Sequence, residues 1–596
     1  MTGSTPLPIN KFFGTILMRN FKFIIFNLFF LLIINVYGQY LNSFEQALLS
    51  INKEDIFKNL MFLASDVLKG RAAGSIENEI AAKFIAKKFI EQGLKPAGNY
   101  QNINTSNKNE ISHELYFQKF EFYRTKLGEN NNLNLIESFP NSEKIISFKF
   151  KKDFIIQSRN LFDNVKIRAP LVFAGYGIID SLNDYNDYKD SIGKTIDVKG
   201  KIVIIIDGFP REKDTTSFFH RLRNPLYKNP LRKAELAQNL GALALVVANS
   251  PYRTEPPFSI KYQSRINAFN KPTDHLPIVI NENIPIIYIN DNVLSEILSK
   301  KRLNLNELLE KIEKQLKGNA LEFDDMSLEI EINFDSEIIK TQNVIGLIEG
   351  TDEKLKNEYI IIGAHYDHIG LGYYGASALA DTGKIHNGAD DNASGTSTLI
   401  ELAEAFSIHK PKRSLIFVAF SGEENGLLGS RFYVYNQPIF PIEKTVAMFN
   451  FDMVGRNEPE LLWIGGAFYS KDLKRVVELA NEKFNFELLY NTGLLNFASD
   501  QAPFLRKNIP SIFFFTGLHE DYHTPSDDFD KIDLDKLTRV ARLGFTSINI
   551  VANSDAKYSF YELPLDERKK LVEYSLEKLR KYRKENLLNK TRESEE

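Results

Sequence analysis

Short apolar runs alternate with amphipathic stretches along the C-terminal half of the chain. Each run is typical of a buried strand, and apolar residues at helical spacing lie between the runs, so the pattern predicts an α/β fold. The predicted strands span 341–348, 358–364, 413–420, 444–452 and 510–516. The predicted helices span 394–408, 471–485 and 531–552.

The preceding half of the chain has weaker patterns. Residues 55–100 favour helices, because apolar side chains recur at helical spacing between Ser75 and Gly93. Residues 101–160 are polar and rich in asparagine, which favours strands and loops. From about 160 to 320, several strand-like apolar runs accompany one helix near residue 235, which indicates a separate domain.

The first 38 residues have the pattern of a secretory signal. Arg19 and Lys22 precede an apolar run from Phe23 to Val36, which is shorter than the about 20 residues of a membrane span. A small-residue cleavage pattern follows, before Gln39. We therefore expect a cleaved signal peptide, a secreted or periplasmic location and no membrane span in the mature chain. An uncleaved anchor helix is the alternative.

The composition excludes several classes of protein. Hydrophobic residues make up 43% of the chain and charged residues 25%, as in ordinary globular proteins, which excludes a mainly disordered or multi-span membrane protein. The net charge of -3 gives no support for a nucleic-acid partner. The chain has no cysteine, so any metal site must use nitrogen and oxygen ligands.

Histidines and carboxylates cluster after the predicted strands of the α/β block. The carboxyl ends of strands in an open α/β sheet are where sites assemble, so we expect these side chains to lie together. Asp391 differs from the others because it lies in a glycine-rich loop, 387–395, that opens a helix. The candidates, in chain order, are His365, Asp367, Asp391, Glu423, Glu424, Asp452 and His523.

These residue types suit a pair of divalent metal ions. Residues i and i+2 of an extended segment share a face, so His365 can bind a metal while Asp367 holds its other ring nitrogen. Glu423 and Glu424 point in different directions, so one can bind metal while the other stays free as a base. Asp391 is the candidate to bridge the two ions, and the residual positive charge favours hydroxide over water between them. The donor atoms suit Zn²⁺, with Co²⁺ or Mn²⁺ as alternatives.

One stretch matches the sequence pattern of a different kind of zinc site. Residues 519–523 match the His-Glu-x-x-His pattern, which binds zinc only on a helix. Pro525 follows closely and disfavours helical geometry before it, so we expect a loop there. His519, His368 and His386 receive no role and are interpreted as surrounding or surface residues.

The ordered motifs resemble metallopeptidase family 28. The resemblance covers about 326–556 and an N-terminal stretch that contains Arg71. The residues that carry it are His365-Tyr366-Asp367, Gly388–Gly395, Gly422-Glu423-Glu424, Asn450-Phe451-Asp452 and Asp521–Asp527.

The resemblance implies a role for each candidate. His365 and Asp452 are expected to hold one zinc ion, Glu424 and His523 the other, and Asp391 to bridge both. Glu423 is the expected general base and Asp367 the residue that orients a ligand. Asp500 resembles a further family aspartate, expected behind His523.

The resemblance also implies the architecture. A mixed central sheet sandwiched by helices is expected, the zinc exopeptidase (phosphorylase/hydrolase-like) fold, with an inserted β-rich α+β domain. Segments 172–177, 198–203 and 233–242 resemble a protease-associated (PA) domain. The expected organisation is a signal peptide at 1–38, the N-terminal part of the catalytic domain at 39–160, the PA-like insertion at 161–320, the catalytic domain at 326–556 and a charged, solvated helical tail at 557–596.

The expected function is that of a secreted exopeptidase with two zinc ions. An aminopeptidase that acts on peptides with a free N-terminus fits best, because Asn392 stands where glutamate carboxypeptidase-like members carry proline. A glutaminyl-cyclase-like transferase, a carboxypeptidase on the same fold and a non-catalytic receptor-like ectodomain are the alternatives. The sequence leaves the preferred terminal residue and the oligomeric state open.

Overall fold

The computed structural model describes residues 41–98, 112–157, 164–221, 225–269, 271–277, 284–490 and 495–593. The signal peptide expected at 1–38 lies outside these residues. Within the described ranges, no helix is both long enough and apolar enough to cross a membrane.

The strands and helices are numbered along the chain. The strands are β1 Lys95–Pro96, β2 Phe117–Leu127, β3 Asn132–Phe139, β4 Ser142–Phe148, β5 Phe154–Ile156, β6 Val165–Phe173, β7 Ile179–Asp180, β8 Tyr185–Asn186, β9 Ile202–Ile206, β10 Ala244–Ala248, β11 Thr273–His275, β12 Ile286–Ile289, β13 Leu321–Ile332, β14 Phe334–Ile348, β15 Tyr359–His365, β16 Ser414–Phe420, β17 Thr445–Phe451, β18 Leu461–Gly465, β19 Glu487–Leu489 and β20 Ser511–Phe515. The α-helices are α1 Ser43–Ser50, α2 Lys53–Leu63, α3 Ile76–Glu91, α4 Phe218–Arg221, α5 Pro225–Lys228, α6 Pro230–Asn239, α7 Phe258–Lys261, α8 Gln263–Ala268, α9 Asp291–Ser299, α10 Leu305–Gln315, α11 Gly395–Ile408, α12 Leu428–Arg431, α13 Lys471–Asn481, α14 Gln501–Arg506, α15 Leu534–Asn553 and α16 Leu565–Glu593.

The chain forms two compact units. Among the described residues, the main unit comprises those up to Glu121 and from Lys340 onward, and the inserted unit those from Phe122 to Ile339. The insertion therefore begins well before the predicted boundary at 161 and ends after the predicted boundary at 320. The difference arises because β3 and β4 lie in the polar segment that was assigned to the catalytic domain. The strand β3 pairs with β4 on one side and with β13 on the other, so β3 and β4 belong to the inserted unit.

The main unit is built on a mixed sheet. Its strand order is β14-β16-β15-β17-β20-β18-β19, with β1 paired to β14. The strands β16, β15, β17 and β20 are parallel neighbours, whereas β14 and β18 run antiparallel to theirs. The expected mixed α/β sheet is confirmed.

Alternate residues of the central strands enter two different cores. Ile360 and Ile362 of β15 pack into the large core formed with α1, α2, α3, α11, α13 and α15. Ile361 of the same strand packs on the opposite face with Phe504 of α14 and with Tyr433. Because both faces of the sheet are covered, β16 and β20 consist entirely of buried residues, which is why their sequences read as continuous apolar runs.

The inserted unit has a sheet of its own. Its strand order is β4-β3-β13-β6-β9-β10-β12-β5, with β6, β9, β10 and β12 parallel to one another. Two apolar cores lie on the faces of this sheet. The expected β-rich α+β insertion is confirmed.

The C-terminal helix α16 is more than a solvated tail. Leu571 and Val572 pack against the main core, and the hydroxyl of buried Ser575 accepts a hydrogen bond from the amide of Tyr490 at 2.7 Å. Lys578 pairs with Glu487 of β19 at 2.8 Å. One face of the charged helix is therefore packed, which its high charge density did not indicate.

Candidate metal centre

A first group of side chains lies at the carboxyl ends of β15 and β17. His365 is the last residue of β15 and Asp452 directly follows β17, so two parallel neighbouring strands deliver them to the same edge. The Nε2 atom of His365 lies 3.1 Å from Oδ1 of Asp452 and 3.2 Å from Oδ1 of Asp391. All three residues are buried.

A second group lies on the other side of Asp391. The Nε2 atom of His523 is 3.1 Å from Oε2 of Glu424 and 3.2 Å from Oδ2 of Asp391. The other ring nitrogen of His523 lies 2.9 Å from the carbonyl oxygen of Gly375, which fixes the ring orientation. Residues 519–523 form a loop, as expected, so the His-Glu-x-x-His pattern does not form a one-helix site.

The turn that carries Asp391 is held by hydrogen bonds from several directions. The carboxylate of Asp527 accepts from the amides of Asp390 and Asp391 at 3.1 Å. The side chain of Asn392 donates to the carbonyl of Phe451 at 2.9 Å, and the Asp391–Asn392 peptide bond is cis. The Oδ1 atom of Asp391 faces His365 of the first group, and its Oδ2 atom faces His523 of the second.

Asp367 and Glu423 lie beside the first group, in an arrangement that differs in one detail from the expected one. The carboxylate of Asp367 is 3.8 Å from Nδ1 of His365, whereas the main-chain carbonyl of Asp367 is 3.1 Å from it. The carbonyl therefore orients the histidine. The Asp367 carboxylate instead accepts from the amide of Glu423 at 3.2 Å, so it positions the expected base.

Two further residues, His368 and Asp500, belong to the centre although the sequence gave them no firm place. His368 is fully buried, with Nδ1 2.7 Å from Oε1 of Glu424. Asp500 is also buried, and its electrostatic partners are His365 and Asp452, so it lies by the first group instead of behind His523. His386 and His519 are close by in sequence but belong to neither group.

The buried charges strongly perturb the titration of the site. Burial disfavours protonation of His365, yet the carboxylates of Asp452 and Glu423 raise its pKa well above the usual value. Burial also opposes charge on His523, but Glu424 and Asp391 raise its pKa to about 11. Burial, together with Glu424 and Asp452, raises the pKa of Glu423 well above that of an ordinary glutamate.

These charges and donor atoms fit divalent metal ions. In each group the ligand atoms lie within 4.8 Å of one another; one group is His365, Asp391 and Asp452, and the other is His368, Asp391, Glu424 and His523. The carboxylates hold protons on the histidines, and a cation that displaces those protons supplies the same compensating charge. Imidazole and carboxylate donors without sulfur suit zinc.

A cavity of about 560 Å³ lies beside the loop that carries His523, and Asn457, Glu458 and Thr516 are the polar residues of its lining. On one side, the ring of Tyr522 stacks on that of His523, with centroids 3.9 Å apart. On the other side, Met453 follows Asp452 and packs with Phe515. The apolar residues around the cavity include Leu461, Trp463, Leu495, Phe515, Leu518, Tyr522, Leu579 and Tyr582, the last two from α16.

Comparisons with known proteins agree with this architecture. Residues 343–547 match the model of peptidase family M28, and residues 167–292 match that of the PA domain. Aminopeptidase YwaD of Bacillus subtilis is 30% identical over 219 residues, which are 34% of this chain and 43% of that protein. A probable zinc metalloprotease of Pyrenophora teres is 32% identical over 125 residues, 20% of this chain and 24% of that protein.

The chain spans less than half the length of these curated relatives. A solved structure, the aminopeptidase from Aneurinibacillus sp. strain AM-1, is 20% identical with a TM-score of 0.43, and the match covers 88% of this chain and 98% of that chain. The family match covers the strands and loops that carry both ligand groups, and the PA match lies within the inserted unit. Residues 343–547 are therefore a peptidase family M28 domain, and residues 167–292 are a PA domain.

Proposed function

We propose that this chain is a zinc-dependent aminopeptidase that removes the N-terminal residue of peptides. The observation that carries the proposal is the position of Asp391 between the two ligand groups. Its Oδ1 atom faces His365 at 3.2 Å and its Oδ2 atom faces His523 at 3.2 Å, so one carboxylate can serve two ions. The names of the relatives, an aminopeptidase and a probable zinc metalloprotease, support both the reaction and the metal.

Zinc ions held by His365, Asp452, Asp391, Glu424 and His523 would polarise the substrate carbonyl and lower the pKa of a water molecule. Glu423 carries out the proton transfers between the attacking water and the departing amine. Its amide is held by Asp367, and its carboxylate accepts a proton from the attacking water. Glu423 then passes that proton to the departing amine, a role worth typically ~10²–10⁴ in rate.

The cavity that Tyr522 separates from His523 suggests which terminal residue is preferred. Trp463, Phe515 and Leu518 line it, and Tyr522 connects it to His523. An apolar side chain transferred there gains about 25 cal/mol for each Å² of apolar surface removed from water. We infer a preference for large apolar N-terminal residues such as leucine or phenylalanine.

The proposal that the protein is exported depends on the N-terminal sequence alone. Residues 1–38 have the charged and apolar segments of a signal peptide and end before Gln39. N-terminal sequencing of protein recovered from the periplasm or medium of expressing cells should begin at or near Gln39. A chain found intact in the membrane fraction would favour the anchor helix.

A panel of chromogenic substrates tests the proposed reaction. Zinc-loaded protein should hydrolyse leucyl and phenylalanyl p-nitroanilides, and a chelator should abolish the activity until zinc is restored. The N-acetylated forms of the same substrates serve as matched controls and should not react. Release of dipeptides or of N-acyl-linked glutamate would contradict the aminopeptidase assignment, whereas one zinc per chain with cyclisation of N-terminal glutamine would favour the cyclase.

A further inference from the structure

We propose that His368 is a fourth protein ligand of the metal position formed by Asp391, Glu424 and His523. The inference rests on the proposed zinc chemistry and adds a residue to it. The Nδ1 atom of His368 lies 2.7 Å from Oε1 of Glu424 and 3.8 Å from Oδ2 of Asp391. The ligand atoms of the four residues lie within 4.8 Å of one another.

The two histidines approach this position in equivalent ways. Each directs one ring nitrogen at a different oxygen of Glu424, and both nitrogens face the same Oδ2 atom of Asp391. Their rings are nearly perpendicular, at 76°, with centroids 5.5 Å apart. Two imidazole nitrogens and two carboxylates therefore converge, which is the number and type of ligands that zinc takes.

The protein holds the His368 ring in place by close packing. A Cβ atom at Gly388 would lie 2.5 Å from the Cγ and Cδ2 atoms of His368, so the ring packs directly on the backbone of the loop that carries Asp391. Gly388 has φ +57°, a conformation that glycine adopts without strain. The ring is fully buried, and swinging it away from Glu424 would require this packing to be broken.

The assignment makes the two metal positions unequal. The first position has three protein residues, His365, Asp391 and Asp452. The second position, with His368, has four. Closed sites with four protein ligands retain metal as structural sites do, whereas sites with three remain open for chemistry. We therefore expect the second position to retain zinc longer when chelator is added.

Metal release from the zinc-loaded, full-length protein tests the inference. Wild-type protein and the His368→Gln variant are dialysed against a graded series of chelators, and zinc per chain is measured by elemental analysis. The wild type should lose one ion first and retain the other, and His368→Gln should hold the retained ion at least ~100-fold more weakly, beyond the 10–100-fold typical of residues that only orient a ligand. Glutamine can still donate a hydrogen bond to Glu424, so a change below ~100-fold would overturn the ligand role.

His386→Gln is the matched control, because His386 is buried nearby, bonds to the carbonyl of Lys384 and belongs to neither group. It should release zinc as the wild type does. A second readout uses the wild type alone: with one equivalent of Co²⁺, intense visible absorption typical of four-coordinate cobalt supports the inference, and the weak bands of six-coordinate cobalt overturn it. A wild type that binds no metal refutes the proposed function itself, whereas two ions with unchanged release from His368→Gln refute this inference only.

Discussion

Replacing Arg71 with methionine should destabilise the main unit and loosen the loop that carries Asp391. The guanidinium of Arg71 is fully buried and donates hydrogen bonds to four main-chain carbonyls, those of Leu63, Tyr366, Asn387 and Gly388. Arg71 thereby connects the N-terminal helices to the segments before and after the first ligand group. Methionine fills similar space but leaves all four acceptors without this donor.

The magnitude follows from the number of acceptors. A buried polar group left unpaired costs about 1–3 kcal/mol, and removal of one partner from a buried charged network typically costs about 3–5 kcal/mol. Local relaxation recovers part of the sum for four carbonyls, so we expect Arg71→Met to lower the free energy of unfolding by about 3–5 kcal/mol. Arg71→Lys keeps the charge but has fewer donors and no planar fork, so an intermediate loss is expected.

Guanidinium unfolding followed by tryptophan fluorescence measures this loss. The chain has a single tryptophan, Trp463, which lies in the main unit, so its signal reports that unit separately from the inserted one. Excess chelator removes the contribution of bound metal to stability. Arg475→Met, at an exposed arginine of α13, should change stability by less than about 0.5 kcal/mol. A loss below about 1 kcal/mol for Arg71→Met would refute the structural role given to these hydrogen bonds.

Three further changes test other parts of the account. Glu423→Gln should keep its zinc content by elemental analysis but lose at least ~100-fold in kcat, because the proton acceptor is gone; unchanged kcat would remove Glu423 from the mechanism. Burial raises the pKa of Glu401 to about 8, so the folded state binds more protons than the unfolded state between about pH 4.5 and 8 and stability falls as pH rises through that window. The free energy of unfolding should be lower at pH 8.5 than at pH 5.5 in the wild type and in an exposed control, Glu353→Gln. In Glu401→Gln this difference between the two pH values should be smaller by a few kcal/mol. Leu518→Asp should lower kcat/KM about tenfold for leucyl but not alanyl p-nitroanilide, consistent with loss of one apolar contact; equal loss for both substrates would exclude the cavity as the site of the terminal side chain.

The central strands of the main unit can be predicted from the sequence because they are covered on both faces. Every residue of β16 is buried, so its apolar run is uninterrupted, and the polar residue after a neighbouring strand, such as Asp452 after β17, stands out at once. Short edge strands have no such signal. The strand β19 contains only Glu487, Leu488 and Leu489, and it was missed for that reason.

The spacing of residues along the sequence does not determine the distances between atoms in the site. His-x-Asp spacing predicts that His365 and Asp367 share a face, but only the folded loop shows that the carbonyl of Asp367, at 3.1 Å, is nearer than its carboxylate. His368 follows one residue later and carries no signal of its own beyond being a histidine in this motif. Its contact with Glu424, 56 residues away, is made by tertiary structure alone.

The compact unit that contains the predicted insertion extends beyond 161–320 for a similar reason. The polar, asparagine-rich segment 101–160 favours strands and loops, and residues 132–139 form β3, which has buried Leu133 and Leu135 and pairs with β13. The partner strand lies nearly 200 residues later, so pairing of this kind leaves no local pattern. Periodicity indicates that a strand is present without identifying the sheet that contains it.

Zinc content per chain tests the central claim directly, because Asp391 belongs to both ligand groups. Wild-type protein that has been loaded with zinc and desalted should contain two ions per chain by elemental analysis, and Asp391→Ala should contain fewer than one. Undiminished zinc in Asp391→Ala, or a wild type that never exceeds one ion, would contradict a centre in which one carboxylate serves two metals.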